Sequence, residues 1–124
     1  MSAIAWAAFV AAGAVGAPLR YFVDTIIQER NEGAFPWGTL VVNASGSLLL
    51  GFVTGLALYH AFPDTPRIVL GTGFCGAYTT FSTFGFETVR LLEDDAVAEA
   101  LLNALGTLVT CAAAAALGLA LAAL

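Results

Sequence analysis

Residues 73–87, "GFCGAYTTFSTFGFE", bring glycine, hydroxyl and phenylalanine side chains together in a chain that is otherwise mostly apolar. Glycine and β-branched residues weaken an α-helix, so a break near Gly76 to Thr80 competes with a continuous helix whose glycines serve close packing. Non-helical backbone at membrane depth survives only when it is buried in protein or lines a cavity. A break here would leave free carbonyl groups, which a hard cation such as sodium would satisfy.

The composition around this stretch favours a membrane protein. The chain has 124 residues, of which 60% are hydrophobic and 10% charged, whereas a soluble domain carries about 25% charged residues. A chain of this length could not cover so much apolar surface in one globular core. Since each membrane-spanning helix needs roughly 20 apolar residues, the length allows at most four spans.

The hydropathy pattern predicts four spans in one unit that covers residues 1–124, an all-α integral membrane fold. Charged residues and prolines concentrate in the three joints between the spans. The fourth span is rich in alanine, which indicates a tightly packed helix. The predicted spans are Ala3 to Val23, Trp37 to Tyr59, Ile68 to Leu92 and Ala96 to the end.

The distribution of charge gives little preference for one orientation in the membrane. The chain has no lysine, and Arg30 and Arg90 lie on one predicted side with Arg67 on the other. The positive-inside rule needs a clear basic excess on one side. The chain either inserts both ways and pairs antiparallel with itself, or takes its orientation from another cue. Its net charge of −5 argues against a nucleic-acid partner.

Two helices carry stripes of polar residues. In span two, Thr39, Asn43 and Ser47 are spaced by four and share a face that Gly51 and Gly55 continue as a G-x-x-x-G. Such small residues let helix backbones approach closely in lipid, so we expect tight packing along this row. An unpaired amide facing lipid would be costly, so Asn43 either joins two helices or donates hydrogen bonds into a water-filled path. Span four carries a second stripe, which helical threonines bonding to their own backbone could also explain. Its residues are Asn103, Thr107, Thr110 and Cys111.

Other side chains also have two interpretations each. Phe81 and Phe84 are three apart and share a helical face, where they either pack or present their positive ring edges to an anion. Arg20 either extends to the interface or attracts anions to a vestibule, and Glu87 is by default a helix-end carboxylate near water. The lack of lysine or arginine deep in any span suits anion conduction, because a buried cation would hold an anion too tightly.

Three segments of the chain resemble the bacterial and archaeal fluoride channel family (Fluc, also called CrcB). They are "GFCGAYTTFSTFGFE" in span three, "PWGTLVVNASGSLLLGF" in span two and "GAPLRY" around Arg20. The fourth span is similar to the family only in hydropathy and length. Two departures stand out: Ala77 replaces a glycine that is common in the motif, and span four lacks the tyrosine that family members often carry near its start.

The resemblance implies an antiparallel, dual-topology dimer of four-helix subunits with a broken third helix and two pores. Backbone carbonyls of Gly76 and Thr79 from both subunits would hold a central structural sodium ion, and Arg20 would line a vestibule. The residues implied for the fluoride path are Asn43, Phe81, Phe84, Ser82, Thr83, Thr107, Thr110 and Glu87.

The expected function is passive, selective export of cytoplasmic fluoride across the cell membrane by a multi-pass channel. The expected partners are fluoride, the lipid bilayer and a second copy of the chain, with a paralogue as the alternative partner. A rival function is that of a small multidrug-resistance-type cation/proton antiporter, which needs a buried carboxylate, and the first span has none before Asp24. A subunit without transport activity is a third class. No nucleophile–base pair or metal-ligand cluster suggests an enzyme.

Overall fold

The computed structural model describes all 124 residues, and all of its regular secondary structure is helical. Short loops at residues 30–36, 61–63 and 94–96 separate the longer helical segments. Six α-helical segments and one π-helical segment follow one another: α1 (Ala3–Glu29), α2 (Trp37–His60), α3 (Asp64–Ile68), the π segment (Val69–Cys75), α4 (Gly76–Tyr78), α5 (Ser82–Glu93) and α6 (Val97–Ala122).

Three helices, α1, α2 and α6, are long and apolar enough to cross a membrane. They confirm the first, second and fourth predicted spans. Only 21 of the 124 residues are buried, because most large apolar side chains point away from the other helices. This outward apolar surface suits lipid as the surrounding medium.

Small residues set the distance between α2 and α6. A side-chain carbon added at Gly51 would strike the Ala115 carbonyl oxygen, and one added at Gly118 would lie 2.6 Å from the Phe52 nitrogen and closer still to the Leu48 oxygen. The two backbones are therefore in direct contact, which is how helices associate when lipid removes the hydrophobic drive. The α2–α6 seam, as we call this contact, confirms the close packing expected of the glycine row in span two.

The π segment packs against α1 in the same way. A side-chain carbon at Gly16 would lie 2.7 Å from the Phe74 carbonyl oxygen, and one at Gly73 would lie 3.1 Å from the Phe9 oxygen. A π-helical turn is wider than an α-helical one and recurs near functional sites. Here it leads, through the single turn of α4, to the residues at which the regular helix stops.

The regular helix is interrupted from Thr79 to Phe81. Thr79 has φ −80° and ψ 161°, an extended conformation, and α5 begins at Ser82. We call residues 79–81 the interruption. It lies beside the second turn of α2, because Asn43 contacts it directly.

Candidate functional site

The side chain of Asn43 holds the interruption in place with two hydrogen bonds. Asn43 Nδ2 donates to the Thr80 carbonyl oxygen at 2.9 Å, and the Thr80 backbone nitrogen donates to Asn43 Oδ1 at 2.8 Å. One amide thus takes the place of both helical partners that Thr80 lacks. Asn43 therefore does connect two helices, and the second hydrogen on Nδ2 remains for another acceptor.

Hydroxyl groups start the helix that follows. Thr80 Oγ1 accepts a hydrogen bond from the Thr83 backbone nitrogen at 3.1 Å and donates one to Thr83 Oγ1 at 3.0 Å. This is the capping geometry that threonine provides at helix N-termini. Thr79 Oγ1 donates back to the Cys75 carbonyl oxygen at 2.7 Å and so ends the preceding helical turn. Two threonines therefore fix the two sides of the interruption.

A groove of about 540 Å³ runs along the exposed side of the interruption, between α2 and α6. We call it the central groove. Its walls combine an amide, hydroxyl groups, two phenyl rings and a thiol, and none of its side chains is charged. The polar and aromatic lining residues are Asn43, Ser47, Thr79, Thr80, Phe81, Phe84, Thr107 and Cys111.

The two phenyl rings of the central groove lie next to each other. Their ring centroids are 5.8 Å apart and the ring planes make an angle of 50°. Phe81 is 84% exposed, so most of its ring surface is uncovered. Phe86, on the same helix as Phe84, is also exposed but does not line the groove.

A smaller cavity of about 200 Å³ lies on the other side of the interruption, between α1, α2 and the start of α5. We call it the Arg20 chamber. Arg20 Nη1 donates to the Thr79 carbonyl oxygen at 3.3 Å, so the guanidinium group binds the broken backbone. The residues that line the chamber are Arg20, Tyr21, Asp24, Thr39, Val42, Thr80 and Thr83.

Thr39 links this chamber to Glu87 of α5. Thr39 Oγ1 donates a hydrogen bond to Glu87 Oε1, and Thr39 itself is buried. Glu87 is therefore held against α2 and is not free in solvent. Thr39 lies one helical turn before Asn43. The polar stripe of span two therefore contacts α5 and the interruption at two successive turns of α2.

The polar residues of α6 mainly join α6 to α5. Asn103 Nδ2 donates to Thr88 Oγ1 at 2.8 Å, and Thr88 Oγ1 donates to the Phe84 carbonyl oxygen at 2.8 Å. Thr107 Oγ1 donates to Asn103 Oδ1 at 3.1 Å. This chain of bonds ends at the backbone of Phe84 and so fixes α5 behind that ring.

The structure brings most of the predicted site residues together but leaves three of them, Ser82, Thr110 and Gly76, outside both cavities. Asn43, Phe81, Phe84 and Thr107 line the central groove, as does Thr79, while Arg20 and Thr83 line the chamber. Glu87 joins the chamber through Thr39. Ser82 and Thr110 are exposed and line neither cavity. Gly76 is exposed, with open space beside its α-carbon.

Sequence reasoning gave no role to three residues that complete this arrangement. Thr80 caps α5 and pairs with Asn43, Thr39 holds Glu87, and Thr88 connects α5 to Asn103. The position of Thr39 four residues before Asn43 was a usable signal for a shared contact. Thr88 gives no such signal, since an isolated threonine near a helix end is common.

Fold and site together define a small multi-pass α-helical membrane protein with an uncharged groove, lined by polar, aromatic and aliphatic side chains, beside an interrupted helix. Residues 7–119 match the family model described as "CrcB-like protein, Camphor Resistance (CrcB)". The chain belongs to this family, as the resemblance in span three predicted. Together with the three long apolar helices, this makes it a multi-pass protein of the cell membrane.

Several named proteins are similar to the chain over most of its length. "Fluoride-specific ion channel FluC 1" of Frankia casuarinae is 48% identical over 122 residues, covering 94% of this chain and 95% of the relative. "Fluoride-specific ion channel FluC 2" of Mycobacterium bovis is 46% identical over 113 residues, with 91% and 86% covered. "Fluoride-specific ion channel FluC" of Geobacter sp. is 44% identical over 100 residues, with 80% and 81% covered.

Proposed function

We propose that this chain is the subunit of a passive, fluoride-selective channel that exports cytoplasmic fluoride. The observation that carries the proposal is the central groove, where an amide, hydroxyl groups and two phenyl rings surround a path without charged side chains. The relatives named fluoride-specific ion channels support it. A channel has no chemical step to catalyse, so the proposal includes no enzyme activity.

The chemistry of the groove suits fluoride. Fluoride is small and strongly hydrated, so a selective path must replace its water with hydrogen-bond donors. The second Nδ2 hydrogen of Asn43 is a donor on the α2 side of the groove, and the edges of Phe81 and Phe84 carry partial positive charge. Thr107 is proposed to line the path on the α6 side. Ser82, Thr83, Thr110 and Glu87 are proposed to extend the path beyond the groove. A membrane potential drives each exported anion with about 2.3 kcal/mol per 100 mV.

We propose that α3, the π segment, α4 and α5 together form a third span, broken at residues 79–81, so that the subunit has four spans over residues 1–124. This run of residues is long enough to recross the bilayer. It connects the C-terminal end of α2 with the N-terminal end of α6. Polar backbone at that depth requires a cover or a cavity. Phe81, 84% exposed in the single subunit, marks the face that needs the cover.

A second, antiparallel copy of the chain is the proposed cover, which gives a dual-topology homodimer with two pores. The charge distribution supports this arrangement, since parallel copies would bring two acidic ends together and antiparallel copies place them on opposite membrane surfaces. Arg20, Arg30 and Arg90 lie toward the same end of the bundle as eight of the nine acidic residues. These acidic residues are Asp24, Glu29, Glu32, Glu87, Glu93, Asp94, Asp95 and Glu99.

The proposed structural sodium ion would be held by carbonyl oxygens of Gly76 and Thr79, and the donor set fits it. In an unbroken helix the Thr80 nitrogen would bond the Gly76 carbonyl, but here it bonds Asn43. Hard cations take oxygen ligands of this kind. The Thr79 oxygen accepts from Arg20 and has a second lone pair. When bound, the ion would supply positive charge that links the interruptions of two subunits.

Fluoride efflux from liposomes that contain only the purified chain tests the function. We expect a fluoride-selective electrode to record rapid efflux when valinomycin balances the charge with potassium, and no comparable chloride efflux. Efflux that requires a pH gradient would indicate the antiporter instead, and that function also needs a carboxylate in the groove, which has none. Absence of any flux would indicate a subunit without transport activity. Light scattering on the same purified chain in detergent, before reconstitution, distinguishes a homodimer from a chain that needs a paralogue.

A further inference from the structure

We propose that Asp24 limits the entry of anions into the Arg20 chamber, so that the charge at this position sets the rate of fluoride passage at low ionic strength. The inference rests on the proposed function, because it concerns the approach to the same path. Asp24 lines the chamber together with Arg20 and Thr39.

The position of Asp24 places it before Arg20 for an anion that enters from the acidic end. Both residues belong to α1, and Asp24 lies one helical turn nearer to the end of the bundle where the acidic residues concentrate. Arg20 extends the other way, to the Thr79 carbonyl oxygen. An entering anion would therefore meet a carboxylate first and the guanidinium group afterwards.

The carboxylate of Asp24 is held where it is by the packing of α1 on α2. A side-chain carbon added at Gly38 would collide with Asp24 Oδ1, and would lie 2.6 Å from its carbonyl oxygen. Glycine at position 38 thus makes room for the acidic side chain at the first turn of α2. The side chain has a defined position at the chamber and does not extend freely into solvent.

No ion pair neutralises this carboxylate. The two ion pairs of the chain join Arg67 with Asp64 and Arg90 with Asp94, so Asp24 belongs to neither, although the guanidinium group of Arg20 lines the same chamber. Glu87, which lies next to the chamber, accepts a hydrogen bond from Thr39, whereas no side chain donates to Asp24. Charges lining a cleft change the local concentration of mobile ions by roughly tenfold or more, and salt screens the effect.

The test is the unitary fluoride current of the dimer in planar bilayers at low ionic strength. We expect Asp24→Asn to raise this current by up to about tenfold, and the gain to disappear in about 1 M of an impermeant salt, where charges are screened within about 3 Å. Asp24→Glu, which keeps the charge, should conduct like the unchanged chain. Asp95→Asn is the matched control, since it removes the same charge from an exposed site outside the chamber.

Two results would overturn the inference: an Asp24→Asn current equal to or below that of the unchanged chain, or a gain that persists in high salt. A measurement on the unchanged channel tests the inference even if the Asp24→Asn variant fails to fold. The unchanged channel should conduct more fluoride when impermeant salt is added, and a current that falls would contradict a repulsive entrance. If the unchanged chain carries no fluoride at all, the proposed function is wrong. That outcome is distinguishable from the two Asp24→Asn results, which require a conducting channel.

Discussion

The α2–α6 seam and the interruption both contact α2, but different forces hold them. At the seam, glycines let two backbones touch, and every partner is another regular helix. At the interruption, Asn43 supplies hydrogen bonds that the backbone of Thr80 lacks. One hydrogen bond crosses the seam, between His60 Nε2 and the Ala122 carbonyl oxygen, and its other contacts depend on shape. The interruption joins an uncharged groove with polar and aromatic side chains to a charged chamber, which is why we place the function there.

The α2–α6 seam should lose more stability than the interruption when a larger side chain replaces a small one. Gly118→Val is expected to lower stability by about 3 kcal/mol or more, because the new side chain would overlap the Leu48 carbonyl and the Phe52 nitrogen. Thermal unfolding in detergent, followed by size-exclusion chromatography, measures the loss. Gly106→Val is the matched control on the same helix, since its nearest neighbour is a flexible leucine end at 3.7 Å. Equal stability of the two variants would contradict direct backbone contact at the seam.

The interruption should be the more sensitive region to a lost polar group. Asn43→Ala leaves the nitrogen and the carbonyl oxygen of Thr80 without partners, which is expected to cost roughly 2–3 kcal/mol and to abolish rapid fluoride efflux. The same unfolding and efflux assays measure both effects. Ser47→Ala, one turn further along α2 in the same groove, removes no bond to the interruption and should change stability little. A stable Asn43→Ala variant would show that another group supports Thr80.

Loss of the hydrogen bond between α5 and α6 should have the smallest effect on stability. A double-mutant cycle of Asn103→Leu and Thr88→Val is expected to give a coupling energy of about 1 kcal/mol, because one hydrogen bond of 2.8 Å joins the two side chains. Chemical unfolding of the four proteins provides the cycle. Additive effects would mean that the bond contributes nothing and that α6 contacts α5 by packing alone.

Much of the fold could be predicted from sequence because a helix that crosses lipid needs a long run of apolar residues. Long apolar runs predicted α1, α2 and α6, and the glycine row of span two predicted tight packing. The sequence also located a weak helix between Gly76 and Thr80, but propensity alone does not decide between a break and a packed helix. That decision depends on Asn43, which is 37 residues away and provides the alternative partner.

The site was predicted less completely because its contacts join distant segments. The resemblance of span three indicated Phe81 and Phe84, and the structure places both rings in one groove. It did not indicate that Thr39 would hold Glu87, or that Asp24 would share a chamber with Arg20. These contacts arise where α1 and α2 meet at Gly38, and no local pattern in either helix predicts that meeting.

Fluoride efflux from Phe81→Ile and Phe84→Ile proteoliposomes, compared with Phe86→Ile, is the most direct test of the central claim. Phe86 lies on the same helix and is 65% exposed, but it does not line the groove. If the rings face an anion path, the first two variants lose most of the efflux while dimer formation and the Phe86→Ile efflux remain unchanged. Undiminished efflux from both groove variants would place the path elsewhere and contradict the account.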